Sequence, residues 1–181
     1  MTIRLARAED AGAVAAVYRP FVTDSVISFE NAPPDEAEMR SRIASGGPLY
    51  PWLTAWDDAG VLLGFASASA FRARHAYRFT VETSVYLAPS AQGQGLGRRL
   101  YGRLLNVLEA QGFTQAIAAI SLPNAPSVAL HEKLGFEAAG LYRDVGFKLG
   151  AWRSVGLWQR PLAPAPQSPP EPKPFRDVWK G

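Results

Sequence analysis

The sequence predicts a single mixed α/β domain with a mostly antiparallel sheet, followed by a proline-rich tail. Strand-like segments in the first half are joined by short turns, which favours antiparallel pairing. A glycine-rich loop at 93–97 leads into a long amphipathic helix. The composition then changes at Pro161, and seven of the 15 prolines lie between Pro161 and Pro174.

The length and composition narrow the class of protein. A chain of 181 residues suits one domain of ordinary size with a full hydrophobic core. Apolar residues at 48% and charged residues at 19% exclude wholesale disorder. No apolar run approaches the ~20 residues of a membrane-spanning helix, and the opening residues lack the apolar core of a secretory signal. We therefore expect a cytoplasmic protein that does not bind membranes.

The residue types that are missing exclude several chemistries. The chain has no cysteine, which removes disulfides, thiolate metal sites and cysteine nucleophiles. With His75 and His131 as its two histidines, it is not expected to bind a metal. The net charge of +3 is small and the arginines are dispersed, so we expect no nucleic-acid partner.

The first half of the chain is expected to contain four strands and two helices. Alternating apolar residues predict the first strand, and apolar residues at helical spacing up to Phe21 predict the first helix. Two prolines precede the second helix, and a turn at Asp57–Gly60 joins two strands. The predicted order is a strand at Thr2–Leu5, a helix from Glu9 to Phe21, an irregular segment at Val22–Pro34, a helix at Asp35–Ala44, and strands at Pro51–Trp56, Val61–Ala70 and Phe79–Leu87.

The second half is expected to contribute two helices and three strands. Leucines every fourth residue from Leu96 to Leu108 mark the buried side of a helix that Gly112 ends. A buried strand at Ala116–Ser121, a short helix from Pro126 to Leu134, and strands at Leu141–Phe147 and Val155–Gln159 follow. The domain is expected to cover residues 1–162, and residues 163–181 to form a mobile tail. Local docking of the terminal Phe175, Val178 and Trp179 is the alternative.

The segment between Val85 and Leu105 is the most informative about function. Glycines before a long helix let the backbone approach a ligand, and the free N–H groups of the helix start favour an anion such as a pyrophosphate. A glycine-rich turn without a ligand is the alternative. A dinucleotide fingerprint fails because its glycine spacing is absent, the position about 20 residues later is the apolar Ile117, and the preceding strands are antiparallel in pattern.

The other phosphate-binding pattern is the acetyl-CoA loop Q/R-x-x-G-x-G/A, matched by Gln92, Gly95 and Gly97. Here the chain resembles the GNAT N-acetyltransferase superfamily. The segments TVETSVY, LPNAPSVALHEKLGF and GFKLGAWRSVGLWQ narrow the resemblance to the phosphinothricin and methionine sulfone/sulfoximine acetyltransferases. The resemblance covers roughly residues 3–162, and it implies the GNAT fold, a mixed α/β fold with a mostly antiparallel sheet that splays at the acetyl-CoA site.

The resemblance implies acetyl-CoA as cosubstrate and a set of residues that bind it. The strand Val85–Leu87 pairs with the pantetheine arm, the loop Gly93–Arg98 wraps the pyrophosphate, and Asn124 hydrogen-bonds pantetheine. For Asn124 the alternative is a side chain that holds its own turn. The full expected set is Val85, Tyr86, Leu87, Gln92, Gly93, Gln94, Gly95, Leu96, Gly97, Arg98, Asn124 and Ser127.

Without cysteine, direct transfer from the thioester to an amine is the expected mechanism. Glu82 is the leading base because a carboxylate in the middle of a half-buried strand is unusual, although a salt bridge to Arg74 or Arg78 is the alternative. Glu30 is a second candidate base. His131 stands where many relatives carry the acid for the leaving thiolate, and a packing role is its alternative.

The resemblance further implies an acceptor with an amine and a carboxylate, of the phosphinothricin or methionine sulfoximine type, and hence herbicide resistance. Phe29, Arg72, Arg74 and Tyr77 are the expected acceptor-binding residues, the arginines as a carboxylate clamp. A polyamine, an aminoglycoside, a protein N-terminus or a non-catalytic CoA sensor are the alternatives. Related enzymes suggest a homodimer.

Overall fold

The computed structural model describes residues 1–181 and contains one seven-stranded sheet with helices on both faces. The strands are β1 (Thr2–Leu5), β2 (Trp52–Trp56), β3 (Leu62–Ala70), β4 (Thr80–Leu87), β5 (Gln115–Leu122), β6 (Glu137–Lys148) and β7 (Ala151–Pro161). The helices are α1 (Ala11–Thr23), α2 (Glu36–Ser45), α3 (Leu96–Gln111), α4 (Ala125–Lys133) and the short α5 (Phe175–Val178). None of them combines the length and the apolar character needed to cross a bilayer.

The sheet separates two hydrophobic clusters. Its strand order is β1-β2-β3-β4-β5-β7-β6, and every neighbouring pair is antiparallel except β4 and β5. The larger cluster packs α3 against one face, with Leu100, Tyr101 and Leu104 fully buried. The smaller cluster packs α1 and α2 against the other face around Val14 and Phe65. The predicted mixed α/β fold with a mostly antiparallel sheet is confirmed, as is the predicted order of its eleven main elements.

The parallel pair β4–β5 is short and ends abruptly. The two strands pair at Thr80–Glu82 with Gln115–Ile117 and then diverge. The buried hydroxyl of Thr83 lies at the point of divergence and donates to the Ile117 carbonyl at 3.2 Å. The Tyr101 hydroxyl on α3 lies 2.6 Å from the Thr83 oxygen and donates to it. The sheet can therefore open here without leaving the carbonyl that ends the parallel ladder unpaired.

The last two strands are longer than the sequence predicts. Strands were expected at Leu141–Phe147 and Val155–Gln159, whereas β6 and β7 form one long hairpin. Leu149 and Gly150 connect them with φ of +50° and +75°, which matches the twist of a two-residue hairpin turn. The hairpin departs from simple alternation because its register shifts twice, between Ala138 and Gly140 and between Tyr142 and Gly146. The alternation of apolar residues therefore predicts only the central residues of these two strands.

The tail differs from the expected mobile segment because its end packs on the domain. Phe175 is buried, with 9% of its surface exposed. Its N–H donates to the Pro48 carbonyl at 2.9 Å, and the Lys173 N–H donates to the Gln111 carbonyl at 2.8 Å. The Arg103 guanidinium lies 4.8 Å from the ring centre of Trp179. Proline-rich composition does predict the extended path, but the docking depends on residues far away in sequence.

Replacement of Thr83 by valine tests the point of divergence. Thr83→Val is expected to lower the free energy of unfolding by about 1–3 kcal/mol, because the Tyr101 hydroxyl and the Ile117 carbonyl lose a buried partner. Urea denaturation measures the change. Thr80→Val, the same swap at a threonine that makes no side-chain hydrogen bond, serves as the control. Equal stability of the two variants would contradict the role given to Thr83.

Candidate active site

The divergence of β4 and β5 opens a narrow slot in the sheet. From Thr83 to Leu87, β4 is paired only with β3, so its other edge is free. Free strand edges present unpaired N–H and C=O groups that can pair with an added extended chain. The predicted residues Val85 and Tyr86 lie on this edge. The slot is lined by Ile27, Thr83, Ser84, Val85, Tyr86, Ala118, Ala119, Ile120, Ser121, Asn124, Ser127 and His131.

A loop of free backbone donors follows β4. The N–H groups of Gly93 to Arg98 donate to no other backbone group, and α3 begins directly behind them. Gly93 and Gly95 have φ of +73° and +77°, in the region that glycine tolerates best. Gln92 fastens the loop to β4, because its side-chain amide donates to the Leu87 carbonyl at 3.1 Å. The geometry is that of an anion site at a helix N-terminus.

Two further predicted loop residues anchor this site. Leu96 and Gly97 are buried at the start of α3. A side chain at position 97 would contact Leu130 and Leu87, each at 3.3 Å. Glycine here therefore allows α3 to approach β4 closely. By contrast, Gln94 and Arg98 are exposed, and the Gln94 amide donates to the Ser90 carbonyl at 2.8 Å.

On the opposite wall of the slot, Asn124 caps α4. Its side-chain oxygen accepts from the Ser127 N–H at 3.3 Å, so Asn124 holds its own turn. Both residues also line the slot, and the Asn124 amide nitrogen makes no hydrogen bond. The two alternatives weighed from the sequence are therefore compatible: one end of the amide caps the helix and the other end can donate to a ligand.

A larger cavity of about 490 Å³ lies on the α1–α2 side of the sheet. The rings of Trp52, Phe65 and Tyr86 stack along it, with centroids 5.6 and 5.3 Å apart. Serines of β3 and β4 supply hydroxyls, and Arg42 is the one charged residue of the lining. The lining consists of Tyr18, Met39, Arg42, Ser45, Gly46, Tyr50, Trp52, Phe65, Ser67, Ala68, Ser69, Ala70, Ser84 and Tyr86.

The slot and the cavity meet on β4. Ser84 and Tyr86 line both, so a group bound in the slot and a group bound in the cavity share these two residues. Glu82 lies two residues before Ser84, on the same face of the strand. Its cross-strand neighbour Ser69 also lines the cavity. The predicted base is therefore at the edge of the cavity, beside the junction.

Burial raises the pKa of Glu82, and the charge of Arg72 opposes this rise. The nearest guanidinium nitrogen of Arg72 lies 3.9 Å from the carboxylate, a loose ion pair with 37% of the Glu82 side chain exposed. The Arg72 guanidinium also lies 4.2 Å from the Phe71 ring centre. The salt bridge expected as the alternative thus forms with Arg72 rather than with Arg74 or Arg78. Arg74 and Tyr77 are exposed on the same connection.

Glu30, the second candidate base, is committed to an ion pair. Both of its oxygens accept from Arg42, at 2.7 and 3.0 Å, and the Tyr18 hydroxyl donates to it at 2.9 Å. The bonds to Arg42 hold the pKa of Glu30 below its usual range, although burial opposes them. Glu30 is therefore better suited to holding Arg42 at the cavity than to accepting a proton.

The irregular segment between α1 and α2 is tied to the β6–β7 hairpin. The buried Lys148 ammonium donates to the carbonyls of Val22 and Ser28, both at 2.6 Å. The ring of Phe29, a predicted acceptor-binding residue, lies against Gly146, where a side chain would meet the ring at 2.2 Å. Phe29 is therefore outside the cavity lining and belongs to the surface between this segment and the hairpin.

His131 is buried at the α4 side of the slot, with 4% of its surface exposed. Its Nδ1 lies 2.7 Å from the Ser127 carbonyl, and a carbonyl only accepts, so Nδ1 carries a proton. Burial lowers the pKa of the imidazole, and the bond to Ser127 opposes this effect. The edges of Tyr101 and Phe136 enclose the ring. At neutral pH the ring is neutral and Nε2 bears a lone pair, which disfavours proton donation.

Sequence reasoning missed residues whose partners are distant in the chain. Arg42 belongs to a polar helix, and nothing near it indicates that it lines a cavity. Tyr18 fits the apolar side of α1, which conceals its hydroxyl bond to Glu30. Thr83 did carry a signal, since a polar residue there interrupts the core-facing positions Val81 and Val85.

Most of the chain matches one known protein family. Residues 15–136 match the model of the acetyltransferase (GNAT) family. The chain belongs to the GNAT acetyltransferase family. This family assignment confirms the resemblance found in the glycine loop and its flanking elements.

Several members of the family are similar over nearly the whole chain. A phosphinothricin N-acetyltransferase of Streptomyces viridochromogenes is 43% identical over 94% of this chain and 93% of its own length. An L-methionine sulfoximine/L-methionine sulfone acetyltransferase of Pseudomonas paraeruginosa is 36% identical, over 93% and 98%. The crystal structure of a phosphinothricin acetyltransferase from Sinorhizobium meliloti in complex with acetyl-CoA superimposes with a TM-score of 0.90 at 44% identity, covering 94% of this chain and 93% of that one.

Replacement of Gly95 tests the anion site. Gly95→Val is expected to weaken acetyl-CoA binding by tenfold or more, on the order of 1.4 kcal/mol. The reason is conformational: nothing lies within 4 Å of a side chain there, but φ of +77° disfavours valine and turns the N–H groups away. Titration calorimetry with acetyl-CoA measures the affinity.

The control for this variant is Gly60→Val. Gly60 has φ of +80°, is equally open, and lies in the β2–β3 turn away from the loop. It carries the same backbone strain without the site, so its affinity for acetyl-CoA is expected to match the unmodified protein. Unchanged affinity in Gly95→Val would remove the loop from the binding site.

Proposed function

We propose that this chain transfers the acetyl group of acetyl-CoA directly to the α-amine of a small amino-acid-like substrate, of the phosphinothricin, methionine sulfone or methionine sulfoximine type. The observation that carries the proposal is the junction on β4, where Ser84 and Tyr86 line both the slot and the cavity beside Glu82. The names of the similar enzymes supply the chemical class of the acceptor.

The residues around the slot fit acetyl-CoA, which supplies an activated acetyl thioester. The free N–H groups of Gly93–Arg98 suit a pyrophosphate, and Gly93 and Gly95 leave the loop surface open. The unpaired edge of β4 suits the two amides of pantetheine, with the free amide nitrogen of Asn124 as a further donor. The proposal thus assigns the loop to the pyrophosphate, and the edge of β4 together with Asn124 to pantetheine.

Glu82 is proposed as the general base. The attacking amine arrives as an ammonium without a lone pair, so a proton must leave before or during attack. Glu82 lies at the edge of the cavity, and its raised pKa makes it a better proton acceptor than an exposed carboxylate. Ser69, its cross-strand neighbour, and Ser84, two residues further along β4, both line the cavity, and their hydroxyls are proposed to hold a bridging water.

The charges around Glu82 suit an α-amino acid. Such a substrate carries an ammonium and a carboxylate on one carbon, and Glu82 and Arg72 present the complementary pair with charged atoms 3.9 Å apart. Arg74 and Tyr77, on the same exposed segment, are proposed to border the acceptor. The cavity lining contains no acidic residue, which disfavours polyamines and aminoglycosides.

The remaining candidates are proposed to support the site. Glu30 orients Arg42, because the ion pair between them occupies both oxygens of Glu30 and lowers the pKa of Glu30. His131 closes the slot as a neutral ring whose Nδ1 proton is held by Ser127. The coenzyme A thiol resembles cysteine, with a pKa of about 8.5, so its thiolate leaves without an acid.

We also infer that two copies pair through the β6–β7 hairpin. Six large apolar side chains are exposed on it, between 44% and 63%, and exposed apolar patches of this kind mark interfaces. They are Leu141, Tyr142, Val145, Phe147, Leu149 and Trp152. Sedimentation of the unmodified protein and of Trp152→Arg measures the assembly, which the variant is expected to weaken.

In the cell, this function places the protein in the cytoplasm, where acetyl-CoA is available. Acetylation removes the charge of the acceptor amine, which alters recognition of that molecule by any site built for an ammonium. Phosphinothricin resistance is therefore an expected consequence of expression.

The function is tested by thiol release from acetyl-CoA with a panel of acceptors. Phosphinothricin, methionine sulfone and methionine sulfoximine are expected to give the highest kcat/KM, ordinary amino acids less, and spermidine and kanamycin none. Preference for a polyamine would contradict the substrate class. Tight acetyl-CoA binding without thiol release for any acceptor would instead identify a non-catalytic sensor.

Replacement of Glu82 by glutamine tests the base. Glu82→Gln is expected to lower kcat at neutral pH by about 10²–10⁴-fold, the usual contribution of general acid–base catalysis. In the unmodified enzyme, activity rises with pH as Glu82 loses its proton at a pKa above the ordinary value. The Glu82→Gln variant lacks this rise of activity with pH. Its deficit in kcat shrinks at high pH because more of the substrate amine arrives deprotonated.

Measurement of kcat at saturating acetyl-CoA keeps a loss of binding from being read as a loss of chemistry. Glu109→Gln, at an exposed carboxylate on α3, is the control and should match the unmodified enzyme. His131→Gln is expected to lower kcat far less than Glu82→Gln. Near-normal turnover of Glu82→Gln at every pH would rule out Glu82 as the general base.

A further inference from the structure

We propose that the C-terminal tail positions two walls of the acceptor site and thereby sets the affinity for the acceptor, an inference that rests on the proposed function. The tail, residues 163–181, touches the domain in two places beside that site. One is the connection 46–50 between α2 and β2, and the other is the connection 71–79 between β3 and β4.

The connection 46–50 is part of the cavity wall. Gly46 and Tyr50 line the 490 Å³ cavity, together with Arg42 and Ser45 at the end of α2. The connection has no regular secondary structure to hold it. Within it, the Tyr50 N–H donates to the Gly46 carbonyl at 3.0 Å, which leaves the carbonyls of residues 48 and 49 facing other parts of the chain.

Those two carbonyls are held by the tail and by Gln111. The Phe175 N–H donates to the Pro48 carbonyl at 2.9 Å. The buried Gln111 amide donates to both the Leu49 carbonyl at 2.9 Å and the Lys173 carbonyl at 2.8 Å, which bridges the connection to the tail. The Phe175 ring is buried and lines a second depression together with Tyr50 and Trp52, two residues that also line the acceptor cavity. The tail therefore supports this wall from behind.

The connection 71–79 is held at its far end. The Glu171 carboxylate accepts from the Arg78 Nε, at 2.9 and 3.1 Å for its two oxygens. Arg78 also donates to the His75 carbonyl at 3.3 Å, within the short helical turn that follows Arg74. Arg72, Arg74 and Tyr77, the proposed acceptor-binding residues, are on this connection. One tail thus links both walls, while it makes no hydrogen bond or ion pair with the loop 93–98.

Loss of the tail contacts is therefore expected to act on the acceptor and spare the cosubstrate. Displacement of a positioning group by about 1 Å can change rates by up to 10²-fold. Phe175→Ala is expected to raise the KM for phosphinothricin or methionine sulfoximine by about tenfold, with the KM for acetyl-CoA unchanged. Phe175→Leu, which refills the apolar position, is expected to restore most of the affinity. Glu171→Gln is expected to raise the acceptor KM about threefold, since an exposed ion pair contributes little.

Asp177→Asn is the matched control, because it removes a carboxylate from the same tail that makes no ion pair. All assays are run well below the measured Tm of each variant, so that global unfolding is not read as loss of positioning. Equal increases in both KM values, or an unchanged acceptor KM in Phe175→Ala, would overturn the proposal.

Hydrogen exchange gives a readout that needs no acceptor. In Phe175→Ala, the amides of Gly47 and Tyr50 are expected to exchange faster than in the unmodified protein, while those of β4 keep their protection. If the unmodified enzyme acetylates none of the panel, the proposed function fails on its own, and faster exchange still supports the positioning role. Unchanged exchange in the connection 46–50 would overturn that role even in an active enzyme.

Discussion

The site depends on one buried hydroxyl at the place where the sheet opens. Thr83 donates to the Ile117 carbonyl and accepts from Tyr101, so the parallel ladder between β4 and β5 can stop after three residue pairs with its last carbonyl satisfied. Without a partner, that carbonyl would favour continued pairing or admission of water. The slot, the free edge of β4 and the loop of N–H donors all lie beyond this point. Strand β4 is therefore paired on both edges before Thr83 and on one edge from Thr83 onward.

Two ion pairs lie near this strand. Arg72 and Glu82 form a loose pair beside the cavity. Arg42 and Glu30 form a close pair whose charges satisfy each other, with Tyr18 as a further donor. The loose pair is the one proposed to take part in chemistry and recognition, whereas the close pair fixes the position of Arg42 in the cavity wall. Burial raises the pKa of Glu82 with only a loose partner to oppose it, whereas the hydrogen bonds from Arg42 lower the pKa of Glu30.

The sequence predicts the fold well because its signals are local. Leucine spacing, the glycine loop and the cap at Gly112 define α3 and its anion site without knowledge of the rest of the chain. The ends of the β6–β7 hairpin were missed, since register shifts break the alternation on which strand prediction depends. Docking of the tail was only the alternative for a different reason: its partner Gln111 looks like an ordinary last residue of a helix. Glu82 was proposed from the sequence because a carboxylate in an apolar strand is conspicuous, whereas Arg42 has no such setting.

The buried ammonium of Lys148 has a consequence for how the protein responds to its own concentration. It joins the hairpin to the segment that carries Ser28 and Phe29, and Ser28 in turn donates to Tyr18 in the cavity wall. The surface proposed to meet a second copy is therefore mechanically continuous with the acceptor cavity. If two copies pair through this hairpin and pairing changes the affinity for the acceptor, acceptor binding must change the pairing affinity by the same factor.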